Sequence, residues 1–388
     1  MTDQVAASTA QETAPTDDAP VGVKGEKVEL RYTRSLAHLL HQHGLSVMIS
    51  TYQAGHVITV SAESEAKLST SFRKFRSPMG IALGRAGLSI GTKESVWTFR
   101  NQPAVVKRLP NPETWDGCFM PTLQRWTGDI RIHEMGYVGK ELWAVNTRFS
   151  CLCTFNDDES FTPRWRPPFI SQIAGEDRCH LNGMAMRKGQ IAFVSALGET
   201  DTRQGWRENK ASGGIIMDYP SGKILVRGLS MPHSPRWYRD QLWILNSGRG
   251  ALTRVENDGR LTDIAELPGF TRGLMFIGPL AFIGLSKVRE TNIFGGIPLN
   301  DRVEEKLCGL WVVDIRNGKT VARLEFTGGV HEIFDVKVIK LRHPEMLMAD
   351  SPLLESAFVI NDPTTLKEMQ DAQAAAIAAQ QSGARDDG

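Results

Sequence analysis

The stretch MPHSPRWYRDQLWILNSGRGALTRVENDGRLTDIAEL, residues 231–267, holds one complete unit of a pattern that runs along most of the chain. It opens with a short strand at His233 (HSPRWY) and turns through the hairpin-length YRD. It then continues as the apolar strand Leu242–Ser247, which ends in small and polar residues, and two further strands follow. Counterparts of the apolar strand begin at Val47, Leu88, Leu142, Ile191 and Leu280, so the six copies start 41, 54, 49, 51 and 38 residues apart. The opening strand recurs near Pro78 (SPMGIAL), His133 (HEMGYV), His180 (HLNGMAM) and Thr271 (TRGLMFI). The last two strands are clearest in GGIIMDYPSGKILVRGL and GLWVVDIRNGKTVARLEF, joined by Pro-Ser-Gly and Arg-Asn-Gly turns.

Four antiparallel strands repeated every 40–50 residues or so is the arithmetic of a β-propeller blade. The expected fold class is therefore all-β, a six-bladed propeller. A sixth opening strand is read in HEIFDVKVI, residues 331–339, but no sequel follows it. The apolar strand at Val47, conversely, has no opening strand before it. The C-terminal inner strand is thus expected to join the N-terminal strands in one blade, closing the ring and removing exposed edges.

The segment organisation follows. Residues 1–25 carry almost no large apolar groups and are expected to be a disordered tail. The propeller is assigned to 26–361, with RSLAHLLHQH (34–43) as a short helix ended by Gly44. Residues 362–388 are read as a helix-prone, Ala- and Gln-rich stretch followed by a loose end. His38, His41 and His43 on the first helix are expected to face solvent, because an HxH spacing does not put both rings on one helical face. RWRPPF (164–169) is read as a packed blade edge.

Composition narrows the function. The chain of 388 residues has 45 basic and 44 acidic side chains, for a formal charge of +1. This argues against a nucleic-acid or membrane-surface binder, which would carry excess Lys and Arg. No apolar run reaches the roughly 20 residues a transmembrane helix needs, and the first residues do not read as a secretory signal. Five cysteines without any CxxC point to reduced, buried thiols and a cytoplasmic location. No GxGxxG opens a helix after a strand, and neither GxxxxGK[ST] nor GxSxG occurs, so nucleotide binding and serine hydrolysis have no motif behind them.

The fragments HLNGMAMRKGQIAFVSALGETD, MPHSPRWYRDQLWILNSGRG and LPGFTRGLMFIGPLAFIGLSKVRE resemble an uncharacterised bacterial family of conserved hypothetical proteins, over roughly Ser46 to Lys340. More distantly, the LNG-plus-strand pattern at 181–194 is similar to that of gluconolactonase- and strictosidine-synthase-like six-bladed propellers. In that wider group a Glu, Asn and Asp set holds a divalent cation at the channel mouth. The resemblance places Asn182 at the asparagine position.

The repeat also locates a candidate site. In a propeller the starts of the inner strands share one rim with the loops between second and third strands. Four of the nine histidines, His133, His180, His233 and His331, fall at inner-strand starts. Imidazoles converging on a pore suggest one divalent transition metal, with Fe, Cu or Zn preferred over the oxygen-seeking Ca or Mg. Glu134 and Glu332 follow two of these histidines and are expected to orient ring N–H groups or to ligate, serving with Arg272 as catalytic candidates. The long loops at 198–213 and about 289–309 lie on the same rim. Arg148, Arg207, Lys210, Arg249, Arg289 and Trp206 are expected to bind substrate there, since guanidinium forks grip carboxylates. Acids in the tails, such as Asp17, Asp18, Asp386 and Asp387, would offset this cationic rim within a balanced chain.

The sequence thus predicts a metal-dependent oxidoreductase or hydrolase acting on a small anionic molecule or a peptide carboxylate. The alternative is a non-catalytic propeller scaffold that binds a protein or peptide partner.

Overall fold

The computed structural model describes residues 27–85, 87–287, 295–358 and 363–383. The expected N-terminal tail, Arg289 and the final acidic residues lie outside the described residues.

Six small antiparallel sheets form the six expected blades. Blade one combines the C-terminal inner strand Asp335–Ile339 with Ser46–Thr51, His56–Ala62 and Leu68–Lys74. The pairing runs in unbroken register from Ser46 opposite Ile339 to Ser50 opposite Asp335, so the two ends of the propeller are joined by a continuous ladder. The inner strands of blades two to six are Ile81–Leu83, Ile132–Val138, Leu181–Arg187, Pro232–Tyr238 and Phe270–Ile277. In blade one the inner strand begins at Asp335, later than the start read at His331, and residues 331–334 precede it as irregular chain.

Two blades carry a fifth strand that the repeat does not announce. Glu29–Tyr32 pairs with the outer strand Lys319–Gly328 of blade six, and Pro344–Met346 lies parallel to Gly117–Trp126 of blade two. Both additions cover an outer edge whose N–H and C=O groups would otherwise be open to another strand.

A small polar residue at the end of four of the apolar strands has a structural task. Ser50, Thr147, Ser247 and Ser286 donate their hydroxyls to backbone carbonyls of Met79, Leu181, Thr271 and Ile333 in the next blade round. In blade four Ser195 donates to Asn182 Oδ1, and Asn182 Nδ2 reaches Pro232 O in blade five. Five of the six blade junctions are thereby pinned by a side chain, four by a hydroxyl at the end of the apolar strand and one by Asn182 of the inner strand. Apolar side chains fill the space between blades, and the helix Arg34–His43 adds Leu36, Ala37 and Leu40 to the core where blades one and six meet. That helix ends at Gly44, whose φ of 60° is the left-handed cap conformation that glycine adopts without strain.

The helix Pro363–Gly383 is present as expected, with Leu366, Met369 and Ile377 exposed. RWRPPF is a packed edge: Trp165 Nε1 donates to Pro220 O, and Pro168 lies against Gly222. All five cysteines are buried and unpaired. Among the described residues no helix is long and apolar enough to cross a membrane.

Candidate functional site

The inner-strand starts and the second-to-third-strand loops do converge, on a cavity of about 150 Å³ at one mouth of the channel. Every blade contributes to its wall: Glu332 and Phe334, Met79, Arg131 and His133, His180, Met231 and His233, and Phe270 and Arg272. Trp206 and Arg207, from the long loop of blade four, complete it.

Three histidine rings meet here. His133 and His180 pack edge to face with ring centroids 4.7 Å apart, and His133 lies nearly parallel to His233 at 6.5 Å. Each ring is held by its Nδ1. In His133 that nitrogen meets Arg131 O at 3.1 Å and Thr147 Oγ1 at 2.9 Å. In His233 it meets Met231 O at 2.9 Å and Ser247 Oγ at 3.1 Å. A carbonyl oxygen only accepts, and both hydroxyls give their protons to the next blade, so Nδ1 carries the hydrogen in both rings. The accepting carbonyl comes in both cases from the residue two before the histidine. Arg131 (φ 55°) and Met231 (φ 45°) hold it in the left-handed region, a conformation that costs a non-glycine residue about 1 kcal/mol or more. His180 differs: its Nδ1 faces both Asp177 carboxylate oxygens at 3.0 Å, and Arg131 approaches Asp177 at 3.5 Å.

The charges are set by burial. Desolvation, then the Arg272 charge and then His180 push His133 well below the usual imidazole range, and the same causes in the same order act on His233. Both rings are therefore neutral at pH 7. Arg272 is nearly enclosed: its guanidinium carbon stands 3.4 Å from the centre of the Phe334 ring, and Nη1 contacts Glu332 at 3.3 Å. Burial brings its pKa down to about 10, which leaves it charged, and burial raises the pKa of Glu332. Arg272 Nη2, Glu332 Oε2 and Trp206 Nε1 are buried and have no hydrogen-bond partner among the described residues.

Several sequence expectations are corrected. His331 does not line the cavity. The chain there is irregular, its carbonyl is taken by Lys287 N–H, and Glu332 and Phe334 reach the wall in its place. Glu134 does not orient a histidine. Its carboxylate takes a two-pronged contact from Arg236 at 2.8 and 3.0 Å and lies 3.7 Å from Lys337, further along the channel. Asn182 is a blade clamp with both amide atoms engaged by protein groups.

The cationic rim is also mostly neutralised. Arg148 pairs with Asp129 and Arg249 with Asp263, both outside the cavity wall, and Lys210 does not reach the wall. Of the anticipated substrate-binding residues, Trp206 and Arg207 line the cavity, and Arg272 stands with them. Asp177 and Arg131 went unnoticed in the sequence. The available signal was the Asp three residues before His180.

The four-histidine metal centre finds no matching donor set. Among the described residues no group of three or more His, Cys, Asp or Glu is arranged to hold a metal ion. The buried Arg272 charge also opposes a second cation.

Fold and site together define a six-bladed β-propeller with a polar, histidine-walled cavity at one channel mouth. The chain belongs to the family described as a domain of unknown function (DUF4915), whose profile matches residues 34–347. No curated protein sequence matches it. Among solved structures, a protein of unknown function from Bacteroides caccae gives a TM-score of 0.47 at 8% identity, covering 76% of this chain and 99% of that one. A nidogen–laminin complex gives 0.45 at 9% identity, with 77% and 100% covered. A catalytically inactive virginiamycin B lyase from Staphylococcus aureus with quinupristin gives 0.38 at 11%, with 77% and 99% covered. These are distant similarities and carry nothing about chemistry.

Proposed function

We propose that this chain is an enzyme whose cavity takes a small anionic molecule, held by Arg272, with the His180–Asp177 pair moving a proton on it. The observation that carries this reading is the buried Arg272 guanidinium. It keeps its charge, has one nitrogen without a protein partner, and sits among rings that are neutral. A buried donor of this kind is costly unless an acceptor arrives, and an anion is the acceptor that also answers the charge. Asp177 fixes the Nδ1–H of His180, which leaves Nε2 as the basic atom, the arrangement that equips an imidazole for general-base work. Trp206 packs on His180 with centroids 4.5 Å apart and shields the pair from solvent.

The test is a thermal-shift and calorimetry panel of small carboxylates and phosphate, run on wild type and Arg272→Gln. Saturable stabilisation lost in Arg272→Gln supports the reading, and equal stabilisation in both proteins overturns it. Stoichiometric Fe, Cu or Zn that disappears in His133→Ala would instead restore the metal-centre reading. A protein partner bound equally by wild type and Arg272→Gln, with no small anion bound, would favour the scaffold reading.

A further inference from the structure

The same cavity constrains its ligand beyond charge, and the following rests on the anion reading above. His133 and His233 each spend their ring proton on a backbone carbonyl, and His180 spends its own on Asp177. The Nε2 atoms of His133 and His233, both neutral rings, are therefore lone-pair acceptors, and among the described residues no protein donor meets either of them. A simple carboxylate also offers only lone pairs. Set against these two imidazole acceptors it would be repelled by both, whereas Arg272 Nη2 and Trp206 Nε1 are wall donors with no partner among the described residues. We infer that the ligand is a small hydroxycarboxylate: its carboxylate on the Arg272 and Trp206 donors, its hydroxyl hydrogens directed to the imidazole Nε2 atoms.

Two observations narrow the class. The buried Arg272 charge repels a second cation, which disfavours an ammonium in the hydroxyl position. The volume of about 150 Å³ matches that of an engineered protein cavity that takes benzene, so a ligand of about six to eight non-hydrogen atoms fits. Molecules of the size of lactate or glycerate meet both limits.

Calorimetry on the full chain with propionate, lactate, glycerate and alanine tests the inference. Lactate and glycerate should bind at least about tenfold more tightly than propionate, the difference one well-made buried hydrogen bond supplies, and more tightly than alanine. His133→Asn keeps an amide donor for the Arg131 carbonyl but removes Nε2. It should reduce the hydroxyl preference to within about twofold while propionate binding persists. If all the carboxylates bind equally, the donor inference fails and the anion site stands. If none binds, both fail. If alanine binds best, the hydroxyl assignment is wrong. A ¹⁵N-NMR spectrum of the histidine side chains gives a check that does not depend on a variant folding: Nδ1–H tautomers are expected for His133 and His233, and Nε2–H tautomers would overturn the inference.

Discussion

The channel has two polar regions built from the same inner strands, and they are finished differently. Beyond the histidines, Glu134, Arg236, Asp335 and Lys337 form a closed network. Glu134 takes both prongs of Arg236, Lys337 reaches Asp335 at 2.7 Å, and Asp335 also accepts the backbone N–H of Ile81. At the mouth, Arg272 has one long contact to Glu332, and three buried polar atoms have no partner among the described residues. One region spends its charges on itself; the other keeps them for a ligand. The difference teaches that burial of charge does not mark the site here, since both regions have it. What marks it is buried polar capacity left unmatched.

The strongest challenge to that contrast is Glu134→Ala. It leaves the buried Arg236 charge without its carboxylate partner, while Lys337 keeps Asp335, so a loss of about 3–5 kcal/mol in denaturant unfolding is expected. A loss below about 1 kcal/mol would mean that the network is not the matched half of the pair. Arg272→Gln should show the reverse profile. Anion affinity falls by about thirtyfold in calorimetry, the loss of roughly 2 kcal/mol from a charged hydrogen bond. Unfolding changes by about 1 kcal/mol or less, because Glu332, its carboxyl already raised by burial, takes up a proton once the guanidinium is gone.

A pH series probes the mouth more gently. His133 and His233 titrate lower in the folded chain than the ordinary value of about 6.5. As pH falls, the unfolded chain therefore takes up protons first. Their contribution to stability is intact above about pH 6.5 and declines below it, by at most about 1.4 kcal/mol per pH unit for each ring. Glu332, shifted upward, works in the opposite sense above about pH 4.5, so the measurement belongs in a Glu332→Gln background. There, replacing both histidines with Asn should flatten the slope, and an unchanged slope would contradict the buried, neutral state. The smallest effect expected is from Ser247→Ala. It removes the pin to Thr271 O but leaves His233 anchored on Met231 O, so about 1 kcal/mol of stability is lost and ligand affinity stays within twofold.

Legibility in the sequence followed repetition. The apolar strands ending in Ser or Thr could be read because four blades meet the next through a hydroxyl-to-carbonyl pin, and a repeated contact leaves a repeated residue. His133, His180 and His233 were legible for the same reason, as they occupy equivalent strand starts. Residues defined by a partner elsewhere were not. Asp129 neutralises Arg148 from 19 residues away and Arg236 captures Glu134 from 102 residues away, and nothing in either local stretch marks the pairing. His331 was misplaced because the last inner strand begins four residues later than its apolar pattern suggests.

The sequence alone determined the six-fold β repeat, the closure of the ring by its two ends and the face on which histidines gather, because each is a local pattern of residue type and spacing. Only the tertiary structure decided which polar groups are paired and which are left open. Pairing depends on distances between blades: a guanidinium a few ångströms from two carboxylate oxygens is spent, and one stacked on Phe334 with a free nitrogen is available.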